Sequence, residues 1–195
     1  PNPHVVRMFI QELGIDLESV EVDLMAGENR QQDHLSRNPS GQMPTLELDN
    51  GEFISEITVI CDYLDEQHGY TDLIGKTPED RAETRMWTRR IDLQIVEPLT
   101  NGFRFSEGHD FFKDRLRLIP QAADDLKTLA QERITWLDGQ IEGKEFICGN
   151  RFSLADIMFY CFLNFGTTVG QPLNEDNKNI ANLYNKIHSR PSASA

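Results

Sequence analysis

The chain has 195 residues, a net charge of −13 and an ordinary hydrophobic content of 38%. This length allows a well-buried core in one large or two small domains. The negative charge argues against a nucleic-acid partner, because polyphosphate binding needs a concentrated basic surface. We see neither an apolar run that could cross a membrane nor a secretory leader, so we expect a cytoplasmic protein with no membrane partner.

The first elements in chain order predict an α/β domain. Apolar spacing predicts a helix from about His4 to Leu13, ended by Gly14. The segment 19–23 alternates as a short strand does, and the polar segment 29–36 predicts a short irregular helix. No strand precedes the first helix, so we expect the native N-terminus to lie before Pro1.

The segment from Asn38 to Leu64 predicts a turn, a hairpin and a helix. Residues 38–41 have loop composition, 45–48 alternate as a half-buried strand does, and 49–51 form a turn into a second apolar strand. In the helix that follows, apolar residues recur at three- and four-residue spacing, so one face is predicted to be core. These residues are Ile57, Ile60, Cys61 and Leu64.

Charge and periodicity both change near residue 75. Residues 1–75 carry three basic and fifteen acidic groups, whereas residues 76–195 carry sixteen and seventeen. We therefore predict a first domain over 1–75, a linker at Gly75–Pro78 and a second domain over 79–195. Four helices are predicted in the second domain: Glu79 to about Phe105, Phe112 to about Gln140, Leu154 to about Phe165, and Asn177 to about His188.

Two motifs resemble those of the glutathione S-transferase family. The first is NPSGQMPTLEL at 38–48, followed by Gly51, an apolar strand and Glu56 before a helix; the second is FICGNRFSLADI at 146–157. The resemblance implies an α/β thioredoxin-like N-terminal domain and an all-α C-terminal helical domain. It also implies a homodimer without metal that conjugates the glutathione thiolate to a small electrophile, as in detoxification.

The resemblance also implies where glutathione binds. Pro44 would be cis and the Met43 backbone would meet the cysteinyl part of glutathione, although an ordinary trans proline opening an edge strand is the alternative. Glu56 would hold the γ-glutamyl end or, alternatively, stabilise its own helix. The position of the family's usual Ser is occupied by Ile57, which keeps only its N–H. Candidates near the glycyl end are Arg30, His34, Arg37 and Gln42; the arginines are alternatively solvated surface groups.

The catalytic residue is not visible in this sequence. The Ser or Tyr that stabilises the glutathione thiolate in many family members aligns before Pro1. The position used by cysteine-type members falls on Asn2, whose amide can donate a hydrogen bond to a thiolate but cannot act as a nucleophile. The three cysteines are odd in number and lack a Cys-x-x-Cys pair, so we interpret them as reduced structural thiols.

The electrophile pocket is expected between the two domains. The resemblance implies candidate residues on the helices that face this cleft in the family, most of them alternatively plain core: Met86, Arg90, Phe103, Phe105 and Tyr160. If Arg90 and Arg104 face this cleft, they suit an acidic or carbonyl-bearing cosubstrate. The alternatives to conjugation are a non-enzymatic binding or regulatory protein and a glutathione-dependent isomerase or thiol-redox enzyme.

Two further patterns concern assembly and folding. Arg81, Arg85 and Arg89 form a basic stripe that predicts dimerisation against the acidic first domain of a second copy, unless the stripe pairs within its own helix on a solvated face. Ser153 and Asp156 have the Ser-x-x-Asp spacing of a capping box, which predicts a folding role.

Overall fold

The computed structural model describes all 195 residues. The N-terminal part contains helices α1 (Asn2–Leu13) and α2 (Gln32–Arg37), strands β1 (Thr45–Glu47) and β2 (Phe53–Ser55), and helix α3 (Ile57–Gln67). The two strands are antiparallel, with Leu46 opposite Ile54. As predicted, α1 ends at Gly14, whose φ of 72° is a conformation that glycine adopts at little cost.

The helical part begins at Pro78, the last residue of the predicted linker. It contains α4 (Pro78–Ile91), a π-helical segment (Asp92–Val96), α5 (Glu97–Arg104), α6 (His109–Phe112), α7 (Ala123–Gln140), α8 (Leu154–Thr168) and α9 (Lys178–His188). Thr77 caps α4, because its hydroxyl accepts from the Asp80 N–H at 3.1 Å and its own N–H donates to the Asp80 carboxylate at 3.3 Å. None of these helices combines the length and apolarity needed to cross a membrane.

Two predicted elements differ from the structure. Residues 19–23 do not form a strand: no neighbouring strand pairs with them, and Val20 is 76% exposed. The helix predicted to begin at Phe112 begins instead at Ala123. A helix cannot easily run through the residue before a proline, and Ile119, which precedes Pro120, has φ −129° and ψ 74°.

Helix α8 lies at the centre of the core, and eleven of its fifteen residues are buried. It packs against α4 in the helical part and against α1 in the N-terminal part. Its first turn is held by Asp156, whose carboxylate accepts from the Ser153 N–H at 2.9 Å and the Ile147 N–H at 2.8 Å. The predicted capping role of Asp156 is confirmed, and the two parts of the chain share one continuous core.

Candidate functional site

The loop before β1 is held by buried polar side chains. The amide of Asn38 donates to the Gln42 carbonyl at 3.0 Å, and Nε2 of His34 lies 2.9 Å from the same oxygen. Since a carbonyl only accepts, Nε2 of His34 carries the proton. The next peptide bond, Met43–Pro44, is cis as predicted. Asn38 and His34 therefore fix the direction in which the Met43 backbone faces.

Glu56 stands at the junction of β2 and α3. It is the residue before the first turn of α3, with φ 73° and ψ 119°, and its side chain makes no capping hydrogen bond. Any stabilisation of its own helix by Glu56 therefore comes from its charge near the helix N-terminus and not from a capping hydrogen bond. The first-turn N–H groups of a helix have no intrahelical acceptor, so Ile57 and Thr58 present free donors beside the Glu56 carboxylate.

These two segments meet in one pocket with the start of α1 and the π-helical segment. Asp92, from the π-helical segment, brings a second carboxylate to the Glu56 side. Burial raises the pKa of Asp92, and the charges of Glu97 and Glu56 act in the same direction, against the lowering effect of Arg89. The pocket is lined by Asn2, Asn38, Gln42, Met43, Pro44, Glu56, Ile57, Thr58 and Asp92.

Six of the residues singled out from the sequence therefore lie together: Asn2, Gln42, Met43, Pro44, Glu56 and Ile57. Sequence reasoning missed Asn38, Thr58 and Asp92. Thr58 could have been found as the only hydroxyl in the first turn of the predicted helix. No local signal identifies Asp92, because its position depends on how the helical part packs against the N-terminal part.

The three predicted cationic candidates do not line the pocket. The Arg37 guanidinium pairs with Asp33 at 2.9 Å, one turn earlier on α2. Arg30 donates to the carbonyl oxygens of Ser40 at 3.5 Å and Arg115 at 2.9 Å. His34 lies under the loop as described above, so its contribution to the site is positional.

The predicted electrophile residues lie in different surroundings. Tyr160 is in the core: it is 2% exposed and its hydroxyl lies 2.8 Å from Nδ1 of His188. This placement corrects the expectation that Tyr160 lines the cleft, because α8 is buried on nearly all sides.

The guanidinium of Arg90 stacks on the Trp87 ring, 4.9 Å from its centroid. Met86 is 41% exposed, and Phe105 is half-buried at the end of α5.

Phe103 belongs to an aromatic group on the helical part. Its ring centroid lies 6.1 Å from that of Phe112 and 5.2 Å from that of Phe165, both in edge-to-face geometry. The neighbouring Arg104 lies over the Phe112 ring. Of the two arginines considered for an acidic cosubstrate, Arg104 therefore has an apolar surface beside it that could receive a ring.

A larger cavity of about 850 Å³ contains none of the predicted site residues. Its two guanidinium groups are already engaged: Arg190 contacts Glu12 at 2.6 Å, and Arg151 donates to backbone and side-chain oxygens around Thr84. Chemistry therefore favours the smaller pocket around Glu56 as the functional site, despite its size.

The cysteines are free, buried and unsuited to redox chemistry, as expected. Burial raises the pKa of the Cys61 and Cys148 thiols and raises the pKa of Cys161 to about 12. A thiolate is the reactive form of cysteine, so these environments suppress reactivity.

Comparison with known proteins identifies the family. Residues 1–67 match the glutathione S-transferase N-terminal domain and residues 117–191 match the glutathione S-transferase C-terminal domain. Glutathione S-transferase F10 of Arabidopsis thaliana is 30% identical over 189 residues, covering 92% of this chain and 84% of that protein. The chain belongs to the glutathione S-transferase family of enzymes.

This glutathione S-transferase family member is also similar to a solved structure and to an isomerase. The crystal structure of Gtt2 from Saccharomyces cerevisiae has a TM-score of 0.93 at 27% identity, covering 100% of this chain and 94% of that chain. The fold is thus a thioredoxin-like N-terminal domain with a helical C-terminal domain. A maleylacetoacetate isomerase of Pseudomonas aeruginosa is 35% identical over 98 residues, covering 49% of this chain and 46% of that protein.

Proposed function

We propose that this protein conjugates the thiolate of glutathione to a small electrophile. The observation that carries the proposal is the pocket in which the cis Met43–Pro44 segment and the first turn of α3 meet, within a chain of this family. The pocket has a volume of about 80 Å³. This is smaller than the roughly 300–1,000 Å³ of pockets for drug-sized ligands, so it would hold one end of glutathione.

The γ-glutamyl carboxylate would lie at the N-terminus of α3. There the free N–H groups of Ile57 and Thr58 and the helix dipole favour an anion. The family's usual serine is replaced by Ile57, but the Thr58 hydroxyl, one residue later, also lines the pocket. Thr58 would supply the hydrogen bond that Ile57 cannot. The Met43 backbone would pair with the cysteinyl residue in strand-like fashion.

The γ-glutamyl ammonium would lie between Glu56 and Asp92. Both carboxylates line the pocket, and the charge of Glu56 contributes to the raised pKa of Asp92, so a cation between the two would stabilise the charged form of Asp92. The cysteinyl sulfur would then face Asn2 at the start of α1, whose amide could donate a hydrogen bond to the thiolate. Gln42, which precedes Met43 and also lines the pocket, would lie toward the glycyl residue.

We expect glutathione binding to weaken on acidification through the raised pKa of Asp92. Protonation removes one of the two carboxylates that hold the ammonium, so the affinity falls as pH falls. In Asp92→Asn the charge is absent at every pH; the affinity at neutral pH should drop about ten- to a hundredfold and its remaining pH dependence should flatten. Calorimetric titration of both proteins at several pH values measures this. Parallel pH profiles would contradict the assignment.

The proposed function is tested by titrating glutathione calorimetrically and by following conjugation to 1-chloro-2,4-dinitrobenzene. Thr58→Val keeps the shape of the side chain but removes the hydroxyl, which should weaken glutathione binding by roughly 1.5–3 kcal/mol. The matched control is Ser55→Ala, which removes the hydroxyl from β2, outside the pocket, and should bind like the wild type. Absence of binding at millimolar glutathione would overturn the proposal; binding without turnover would favour the binding-protein alternative.

Glutathione-dependent isomerisation is the second candidate function. The observation that favours it is the local similarity to maleylacetoacetate isomerase. It would use the same thiolate and the same pocket, but regenerate glutathione at each turnover. Consumption of glutathione stoichiometric with product therefore distinguishes conjugation from isomerisation.

We further propose a cytoplasmic homodimer. The predicted arginine stripe already pairs within its own subunit: Arg85 contacts Asp62 at 2.8 Å and Arg89 contacts Asp92 at 3.5 Å. Charge complementarity between this stripe and a second copy is therefore a weaker argument for dimerisation than the sequence indicated. Exposed apolar side chains close in sequence to the two paired aspartates support the proposal instead: Val59, three residues before Asp62, is 49% exposed, and Leu93, next to Asp92, is 52% exposed.

A further inference from the structure

Two arginines enclose a pair of aromatic rings between the end of α5 and the segment after α6. The guanidinium carbon of Arg104 lies 5.9 Å from the centroid of the Phe112 ring, and that of Arg115 lies 3.8 Å from the centroid of Phe111. The two rings are edge-to-face, 4.8 Å apart. We call these four residues the arginine–aromatic cluster.

Neither arginine of the cluster is neutralised by the protein. No carboxylate oxygen lies within 4.0 Å of either guanidinium group. Arg104 donates to the amide oxygen of Asn101 at 2.9 Å, and Arg115 donates to the carbonyl of Leu24 at 3.3 Å. Burial lowers the pKa of Arg104. The hydrogen bonds of both cations go to neutral groups, and the charge of Glu97 acts on Arg104 only from beyond 4.0 Å, so the pair is favourable to an incoming anion.

The cluster is connected to the glutathione pocket along α5. Asn101, which accepts from Arg104, donates to the carboxylate of Glu97 at 2.7 Å. The charge of Glu97 influences both Arg104 and the pocket residue Asp92. Asp92 begins the π-helical segment, and Arg104 is the last residue of α5, which follows that segment directly. A group bonded to the glutathione sulfur would extend from the pocket along this helical segment toward the cluster.

The cluster also lies where the two parts of the chain meet. Arg30, from the N-terminal part, donates to the carbonyl of Arg115 at 2.9 Å, and Arg115 in turn reaches Leu24. The expected electrophile cleft lies between these parts. Phe103 enlarges the apolar surface beside Arg104, since its ring is in edge-to-face contact with Phe112.

We propose that the arginine–aromatic cluster binds the anionic group of the electrophile, so that the preferred substrates are aromatic or conjugated electrophiles that carry a carboxylate. The ring packs against Phe103 and Phe112, and the guanidinium of Arg104 binds the carboxylate, with Arg115 adding positive charge. This inference rests on the proposed function and specifies its substrate class. With 4-chloro-3-nitrobenzoate, the thiolate sulfur bonds to the ring carbon, the carbon–chlorine bond breaks with its electron pair, and chloride leaves.

The test compares 4-chloro-3-nitrobenzoate with its uncharged analogue 4-chloro-3-nitrobenzamide. In Arg104→Gln we expect kcat/KM for the benzoate to fall about ten- to a hundredfold, with less than about a twofold change for the benzamide. Arg115→Gln should also lower the ratio of kcat/KM for the benzoate to kcat/KM for the benzamide, by a smaller factor. The control is Arg117→Gln, which removes an exposed charge from the same segment and should leave the ratio unchanged.

Equilibrium binding makes the test independent of turnover. The S-aryl conjugates of glutathione with the two probes are titrated into wild type and Arg104→Gln, beside glutathione itself. Tighter binding of the carboxylate conjugate by the wild type, lost in Arg104→Gln, supports the inference. Equal binding of both conjugates by a protein that binds glutathione overturns the inference and leaves the proposed function standing. Failure to bind glutathione and either conjugate overturns both.

Discussion

Asp156→Ala is expected to destabilise the protein by about 3–5 kcal/mol at neutral pH. The Asp156 carboxylate is fully buried and accepts three hydrogen bonds, from the N–H groups of Ile147 and Ser153 and from the Ser153 hydroxyl at 3.0 Å. Alanine would leave the two backbone N–H groups buried without an acceptor, and the Ser153 hydroxyl would keep only the Cys148 sulfur at 3.5 Å. Equilibrium urea unfolding, followed by the fluorescence of Trp87 and Trp136, measures the change in the free energy of unfolding.

The destabilisation caused by Asp156→Ala is expected to increase as pH falls. Burial raises the pKa of Asp156 to about 6, above the value of about 3.9 in an unfolded chain. The folded state therefore binds the Asp156 proton more tightly than the unfolded state does. The free energy of unfolding of the wild type consequently rises as pH falls through about 6. The difference in stability between wild type and Asp156→Ala should widen by about 1 kcal/mol from about pH 7 to about pH 5.

Ser153→Ala is the control for this prediction. It removes the hydroxyl but keeps the carboxylate and both backbone donors, so it should cost only about 0.5–2 kcal/mol. A difference between wild type and Asp156→Ala that narrows on acidification would contradict the raised pKa. A destabilisation below that of Ser153→Ala would contradict the role of Asp156 as the acceptor that holds the first turn of α8.

The sequence predicted those features that depend on neighbouring residues. Gly14 ends α1 and Asp156 lies three residues after Ser153, because each follows from a short pattern with one dominant local structure. The cis Met43–Pro44 bond was instead predicted from the resemblance to the family, since an X-Pro pair by itself favours trans. The segment at 19–23 also has a local strand pattern, but a strand requires a partner to share its hydrogen bonds. With none beside it, alternation alone did not produce a strand.

The site was predictable in the N-terminal part and poorly predictable where the two parts meet. Met43, Glu56 and Ile57 lie within one continuous stretch of sequence, so the motif located them. Asp92 and Arg104 lie far along the chain from that stretch. The π-helical segment between α4 and α5 decides which of their residues face the stretch from Met43 to Ile57. In this segment the helix period changes, so the faces of α4 and α5 shift relative to each other.

Glu56→Gly is expected to change stability and glutathione binding in opposite directions. Glu56 has φ 73°, a conformation that is strained for any residue with a Cβ and readily adopted by glycine. Relief of about 1–3 kcal/mol of strain exceeds the roughly 0.5–1 kcal/mol of extra entropy that glycine loses on folding. The protein should therefore gain about 1 kcal/mol in the free energy of unfolding, while the loss of the carboxylate weakens glutathione binding by roughly 1.5–3 kcal/mol.

Glu56→Gln separates the two effects. It keeps the strained backbone and the size of the side chain, so its stability should match that of the wild type, while glutathione binding weakens because the ammonium loses a charged partner. Urea unfolding and calorimetric titration of the three proteins measure both quantities. Destabilisation of Glu56→Gly would show that Glu56 is not strained. Wild-type affinity in both variants would show that Glu56 does not bind the ligand, which leaves its positive φ without a functional reason.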